Sequence, residues 1–186
     1  NFISNEHKFN YRNKIELKIV NKKIGYFEEL SHKLIEIDRC LIAKDKINEV
    51  INEVKKLNIV NGEITIRCNF NDEILLIINT ENKININEII MDRKIVGIIL
   101  NNKIIYGEDY FVEKVNSLYF KVSYNSFFQV NEWIFPTIFK EIQNNINKED
   151  VVLDLYCGVG TISLHSAVNA KEVIGVEIVE NAVLNA

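Results

Sequence analysis

The chain has 186 residues, of which 47% are hydrophobic and 26% are charged, and its formal net charge is −4. This is a globular composition, long enough for one ordinary domain or two small ones. The longest apolar runs are far shorter than the roughly 18 residues that a membrane span needs, and no leader pattern opens the chain. We therefore expect a cytoplasmic protein with no membrane partner.

The basic residues are concentrated at the start of the chain. The first 24 residues carry six Lys and Arg against two acids, interleaved with the rings of Phe2, Phe9 and Tyr11. Cations that meet phosphates and rings that stack on bases are typical of a groove that binds RNA. A solvated strand face is the alternative and the commoner meaning of such a charge pattern.

Strands dominate from residue 12 to about 122. In "KIELKIV" the apolar Ile15, Leu17 and Ile19 alternate with polar neighbours, which predicts a half-buried strand. Similar runs follow at GYFEE, KLIEI, GEITIRC, EILLIIN, VGIIL, KIIYG, YFVEKV and LYFKVS. One helix interrupts them at 43–58, where apolar residues recur at helical spacing and Asp45 stands at the start. The sequence predicts an α+β domain of mostly antiparallel strands over residues 1–122.

The pattern changes after residue 123. A helix is predicted at 131–146, with Pro136 tolerated only near its first turn and a stripe formed by Ile134, Ile138, Ile142 and Ile146. A continuous apolar strand "VVLDLY", a glycine turn, a helix from Thr161, a strand "EVIGVEI" and the start of another helix follow. This order is the start of an α/β Rossmann-like domain with a parallel sheet, over residues 123–186.

The glycine turn has the residues of a nucleoside site. Gly158 and Gly160 have no Cβ, so the chain can turn tightly and a ligand can approach the backbone. Asp154 ends the first strand beside this turn, and Glu177 ends the second strand, where a carboxylate can accept hydroxyls of an adenosine ribose. A plain structural turn is the alternative.

The acid before the glycines indicates which cofactor this turn suits. A dinucleotide site favours a third glycine in G-x-G-x-x-G, and Ser163 holds that position here. An acid preceding the glycines suits a ligand with a cationic amino-acid end, which favours S-adenosyl-L-methionine. A nicotinamide or flavin oxidoreductase is the alternative for this domain, and a non-catalytic RNA-binding module is the alternative for the whole chain.

Five motifs in the same order resemble the RNA (uracil-5-)-methyltransferase family, whose members make 5-methyluridine in 23S ribosomal RNA or transfer RNA. The resemblance covers nearly the whole chain, and the motifs are YRNK, GYFEELSHKLIEIDRC, SYNSFFQVN, LDLYCGVGTISL and VIGVEIVENAVLNA. It implies an enzyme that methylates C5 of a uridine, with RNA as its partner, 23S rRNA in preference to tRNA. It also implies RNA contacts at Arg12 and His32.

The resemblance also implies roles for individual residues near the glycine turn. Gln129, Tyr156 and Glu177 correspond to cofactor contacts of the family, and the turn and the helix after it line the same pocket. Phe127 is similar to a ring that packs near the target base. The expected cofactor-binding set is Asp154, Gln129, Tyr156, Gly158, Gly160, Thr161 and Glu177.

The three cysteines are not expected to react or to bind metal. Family members add a cysteine thiolate to C6 of the uracil, and a base then removes the C5 proton, but the motifs that carry this cysteine and base are absent here. We therefore expect no catalytic residue in the chain, with Cys157 a small packed residue of the cofactor turn. Cys40 resembles the fourth ligand of an iron–sulfur cluster, and an odd cysteine count without a C-x-x-C pair predicts no metal site.

These residues are expected to form the middle of a longer enzyme. A central RNA-binding domain would be followed by the first strands of the methyltransferase domain. A doubly wound sheet that ends after its second strand leaves an edge and an apolar face uncovered. We therefore expect the isolated chain to self-associate and to be inactive on its own.

Overall fold

The computed structural model describes residues 7–88 and 94–186. Phe2, part of the predicted basic and aromatic stretch, lies outside these residues. The described chain divides into two units, His7–Phe111 and Val112–Ala186. The sequence-based boundary was placed after residue 122, whereas this division falls after Phe111.

A seven-stranded sheet forms the first unit, with strand order β3-β2-β1-β4-β5-β6-β7. Its strands are β1 Lys14–Val20, β2 Lys23–Phe27, β3 Leu34–Glu36, β4 Gly62–Cys68, β5 Ile74–Asn79, β6 Ile95–Leu100 and β7 Lys103–Gly107. All neighbouring pairs are antiparallel except β5 and β6, which are parallel. The sheet is therefore mixed and largely antiparallel, as the alternating patterns predicted.

One face of this sheet is covered by helix α1, Asp45–Lys55. The alternating residues Ile15, Leu17 and Ile19 of β1 are buried, as predicted, and form a core with the apolar stripe of the helix. Burying each such side chain stabilises the folded state by about 1.5–3 kcal/mol relative to leaving it exposed to water. Asp45 is the first residue of α1, where its negative charge interacts favourably with the positive end of the helix dipole.

Asn48 holds the segment that leads into α1. Its side chain accepts a hydrogen bond from the Cys40 amide at 2.8 Å and donates to the carbonyls of Cys40 and Ala43 at 3.1 and 3.3 Å. The Tyr26 hydroxyl donates a hydrogen bond to the Cys40 sulfur at 3.7 Å. Burial raises the pKa of Tyr26, and the hydrogen bond to Cys40 raises it further. Cys40 is thus packed against the sheet and the helix start.

The second unit begins with a hairpin and continues as alternating helices and strands. Its elements are β8 Tyr110–Val115, β9 Leu118–Ser123, α2 Phe135–Asn144, β10 Val151–Leu155, α3 Thr161–Ser166, β11 Glu172–Val176 and α4 Glu180–Asn185. Strands β10 and β11 pair in parallel, with Val151 opposite Glu172 and Leu155 opposite Val176. Helix α3 connects them, so the predicted strand–loop–helix–strand order is present.

Helix α2 differs from its prediction in the face that it buries. Pro136 lies in the first turn, as expected. The buried residues are Phe135 and Phe139, however, and Ile138 of the predicted isoleucine stripe is 37% exposed. The two rings stack on each other with centroids 5.4 Å apart, and such aromatic packing outweighs the burial of the smaller isoleucines.

Among the described residues, no helix is long and apolar enough to span a membrane.

Candidate cofactor site

The loop 156–160 follows β10 and has three residues with positive φ. Gly158 and Gly160 have φ of 58° and 75°, a region that favours glycine. No atom lies within 4 Å of a Cβ added at Gly158, so conformation and not crowding requires glycine there. The Cys157 amide donates to the Val176 carbonyl at 3.1 Å, and the Gly160 amide donates to the Cys157 carbonyl at 2.9 Å. The loop is therefore anchored to the carboxyl end of β11.

Tyr156 is the third residue of this loop with positive φ, at 63°. A bulky residue in that region costs about 1–3 kcal/mol, and such strain clusters at functional sites. Its side chain is 87% exposed, so packing of the ring does not explain the conformation. The strained backbone could not be predicted from the sequence pattern.

Glu177 lies directly beside the glycine loop. Its Oε2 accepts a hydrogen bond from the Gly158 amide at 2.9 Å, and its Oε1 accepts from the amides of Ile178 and Val179 at 2.8 Å each. The hydrogen bonds from Val179 and Gly158 lower the pKa of the Glu177 carboxyl. The structure therefore brings an ionised carboxylate to the glycines, as the spacing of the two strands predicted.

Asp154 faces helix α3 and is buried. Its Oδ2 accepts a hydrogen bond from the Ser163 hydroxyl at 2.6 Å. A Cβ added at Gly175 of the neighbouring strand would lie 3.0 Å from the Cys157 sulfur and 3.3 Å from the Ser163 oxygen. Ser163, the residue that departs from the dinucleotide pattern, therefore ties the helix to Asp154, and Gly175 leaves room for this contact.

Cys157 is poorly suited to act as a thiolate. Burial raises the pKa of its thiol, and the charges of Asp154 and Glu177 raise it further. A cysteine nucleophile needs the opposite, a neighbouring cation or an unpaired helix N-terminus. The geometry agrees with a packing role for this side chain.

Among the described residues, no group of three or more His, Cys, Asp or Glu side chains could hold a metal ion.

His165 joins the start of α3 to two other elements. Its Nδ1 lies 2.7 Å from the Thr161 carbonyl, which can only accept, so Nδ1 carries the proton and Nε2 accepts from Asn116 at 3.1 Å. The ring stacks on Phe139 with centroids 3.9 Å apart and is 2% exposed. Helix α2 adds a bond from Gln143 Nε2 to the His165 carbonyl at 2.9 Å. This support of the loop was not predicted from the sequence.

The remaining predicted site residues lie directly after the loop or in the segment before α2, and they differ in exposure. Thr161 is the first residue of α3. Gln129 is exposed in the segment between β9 and α2, and its place beside the loop stays a prediction. Phe127 is 72% exposed, whereas its neighbour Phe128 is the buried ring. Ile178, which the sequence reasoning missed, follows Glu177 and is 92% exposed.

Comparison with known proteins places the chain in a class. An RNA methyltransferase of Clostridium acetobutylicum is 34% identical over 99% of this chain, and one of Oceanobacillus iheyensis is 29% identical over 97%. The chain spans about half of each relative, 49% in both cases. Both relatives are named RNA methyltransferases, and this is the class of protein that the chain resembles.

The family follows from a direct match. Residues 72–186 match the model of the tRNA (uracil-5-)-methyltransferase family, and the chain belongs to this family. A similar fold is seen in the crystal structure of Pyrococcus abyssi tRNA (uracil-54, C5)-methyltransferase in complex with S-adenosyl-L-homocysteine. The TM-score is 0.80 at 22% identity, over 97% of this chain and 51% of that one. The family is S-adenosylmethionine-dependent.

Proposed function

We propose that residues 123–186 form the Rossmann-like start of a methyltransferase domain and hold S-adenosyl-L-methionine at the loop 156–160. The observation that carries the proposal is the 2.9 Å hydrogen bond between the Gly158 amide and Glu177 Oε2, which joins the ends of β10 and β11. In open parallel sheets, ligands bind outside the carboxyl ends of the strands. The Pyrococcus abyssi enzyme was crystallised in complex with S-adenosyl-L-homocysteine, the demethylated cofactor, which supports the same ligand class.

Glu177 is proposed to accept a ribose hydroxyl of the cofactor. A carboxylate has about four acceptor positions, and three are used by backbone amides in this structure. The position that remains is on Oε2, so one hydroxyl rather than two would bind there directly. Ile178, exposed beside it, offers an apolar surface for the adenine ring.

The other end of the cofactor is proposed to meet Asp154 and the loop. Ser163 holds Oδ2 of Asp154, which leaves Oδ1 as the counter-charge for the cofactor's ammonium group. Open space around Gly158 supports a ligand that lies against the backbone. Gln129, Tyr156, Gly160 and Thr161 complete the proposed set on the strength of the family motifs. When bound, the cofactor supplies a sulfonium methyl group, and these residues orient it.

The acceptor is proposed to be C5 of a uridine in RNA, activated by a cysteine that adds to C6. The cysteine and the base are proposed to lie in the part of the longer protein that this chain does not span. The three cysteines here support that view, because Cys68 is fully buried, Cys40 is packed by Asn48 and Tyr26, and the pKa of Cys157 is raised. The chain alone is proposed to be inactive.

Ribosomal and transfer RNA remain alternative substrates for the longer protein. The sequence motifs favoured 23S rRNA, whereas the matched family and the Pyrococcus abyssi enzyme are both named for tRNA. Exposed Arg12, His32 and Phe127 support an RNA partner of either kind. Transfer of labelled methyl groups by the longer protein to the two RNAs, each provided as a transcript, would decide between them.

Glu177→Ala tests the cofactor site. We expect this change to weaken S-adenosyl-L-methionine binding about tenfold or more, because a charge-assisted hydrogen bond and the support of the Gly158 amide are both lost. Calorimetric titration of the wild type and the variant provides the measurement. Glu172→Ala, at the exposed start of the same strand, is the matched control and should bind normally. Equal affinity of Glu177→Ala and the wild type would refute the assignment.

A further inference from the structure

The first unit has a polar recess at one end of its sheet. It has a volume of about 630 Å³, in the range of small-ligand sites. The start of β4, the end of β5 and the turn after β6 form it. Its polar lining consists of Asn61, Asn79, Thr80, Glu81, Asn82 and Asn101.

Hydrogen bonds between these turns hold the recess in shape. Asn101 accepts from the Thr80 amide at 3.0 Å and donates to its carbonyl at 2.8 Å. The Thr80 hydroxyl donates to the Asn61 carbonyl at 2.7 Å. Asn82 Oδ1 accepts from the Val60 amide at 2.9 Å, and the Thr80 hydroxyl oxygen accepts from the Asn82 amide at 3.2 Å. The polar groups of the lining are therefore fixed before any ligand arrives.

Some polar groups of this lining remain available to a ligand. Asn82 is held through its Oδ1, and Asn61 Oδ1 accepts from the Asn21 amide at 3.1 Å, which orients the Nδ2 donors of both side chains. Asn79 and Glu81 are exposed at the end of β5. Fixed amide donors beside a carboxylate match the hydrogen-bonding edge of an unstacked nucleobase.

Three lysines accompany the lining residues. Lys83 follows Asn82, Lys103 comes two residues after Asn101, and the Lys22 amide donates to the Val60 carbonyl at 2.9 Å. All three are exposed, and within residues 7–88 and 94–186 their side chains make no ion pair. Unpaired lysines around a polar recess are suited to the phosphates of a nucleic-acid strand.

We propose that this recess binds a single-stranded RNA nucleobase that carries an exocyclic amino group, while Lys22, Lys83 and Lys103 contact the adjoining phosphates. Glu81 decides the base class, since it is the one charged lining residue among those described and can only accept hydrogen bonds when ionised. Adenine, cytosine and guanine can donate an exocyclic amino group to it. Uracil has no amino group, and its single N3–H donor lies between two carbonyl oxygens that repel a carboxylate. The site would therefore recognise a base other than the uridine that is methylated. This inference rests on the proposed RNA substrate.

The test is fluorescence anisotropy of the 186-residue chain with labelled single-stranded octamers of adenylate, cytidylate and uridylate at several salt concentrations. We expect the adenylate and cytidylate octamers to bind about fivefold tighter or more than the uridylate octamer. Glu81→Gln should reduce this difference, and Asn82→Ala should weaken the two favoured octamers most. Lys83→Ala should weaken all three alike and lower the salt slope by about 0.7 for one lost phosphate contact.

Matched controls separate local from general effects. Glu53→Gln and Lys140→Ala remove charges of the same types outside the recess and should leave binding unchanged. Equal affinity for all three octamers, an unaltered preference in Glu81→Gln, or no RNA binding would each overturn the proposal. Calorimetry with S-adenosyl-L-methionine on the same preparation reports on the proposed function separately. Cofactor binding without base preference refutes only the recess, and base preference without cofactor binding refutes only the cofactor site.

Discussion

Glu177 and Asp154 are both acids at strand ends, yet their surroundings suit different tasks. Glu177 is half-buried and fixed by three backbone amides, and one of its oxygens keeps a position for a ligand. Asp154 is buried and bonded to Ser163, so it also holds the helix that follows the loop. The spacing of two parallel strands was sufficient to predict that both acids lie near the glycines. The different roles of the two acids depend on the contacts of Ser163 and Gly175, which the spacing of the strands does not predict.

Cys157 allows a test of the electrostatics at the residue scale. Because burial and two nearby carboxylates raise the pKa of its thiol, the thiolate fraction at neutral pH should be smaller than for a free cysteine. We expect alkylation of Cys157, followed by peptide mass spectrometry, to be slow at pH 7 and to rise with pH through a midpoint above the ordinary value. Glu177→Gln should move the midpoint down. A midpoint below the ordinary value would contradict the assigned surroundings.

At the scale of elements, helix α3 depends on its neighbours. It has six residues, too short to be stable alone, and packing must supply its stability. The stack of His165 on Phe139 and the bond from Gln143 provide this packing. The sequence predicted the helix from its position after the glycines, but the partners of His165 come from distant parts of the chain, including Asn116.

His165→Ala should destabilise the second unit by about 3 kcal/mol, since it removes a buried stacked ring and two hydrogen bonds. Urea unfolding followed by the fluorescence of Trp133, the single tryptophan of the chain, would measure the change. Leu164→Ala on the same helix is the control, and its 39% exposed side chain should cost clearly less. Equal losses in the two variants would show that His165 is not the anchor of α3.

Helix α2 shows where element-scale prediction fails. Residues spaced four apart define a stripe, and both the isoleucines and the pair Phe135–Phe139 have this spacing. The choice between the two faces depends on what the helix packs against, here the ring of His165. Strands β1, β4 and β8 were predicted with their observed bounds, because alternation along a half-buried strand is a local property.

On the scale of the whole chain, the second unit leaves one sheet face uncovered. Strand β10 pairs with β11 alone among the described strands. Side chains on the face opposite α3 are about half exposed, namely Val151, Leu153, Leu155, Ile174 and Val176. A contiguous apolar face beside an unpaired strand edge promotes association. The relatives are about twice as long as this chain, and we propose that further chain covers the face in a protein of that length.

The isolated chain should therefore self-associate at micromolar concentrations. The double change Leu153→Glu and Leu155→Glu should shift it toward monomer, because charges on the uncovered face oppose its burial. Sedimentation equilibrium over a range of concentrations provides the measurement. Leu41→Glu, at an exposed position in the first unit, should not alter the association. A wild-type chain that stays monomeric at about 200 µM would show that this face does not drive assembly.

Hydrogen–deuterium exchange of the wild-type chain, with and without saturating S-adenosyl-L-homocysteine, tests the cofactor site most directly. We predict slower exchange in peptides that cover 154–161 and 176–180, because the amides of the glycine loop and those bound to Glu177 become shielded. Peptides of the seven-stranded sheet should not change, and NADH at the same concentration should protect neither segment. Protection by NADH instead, or protection confined to other segments, would contradict the account.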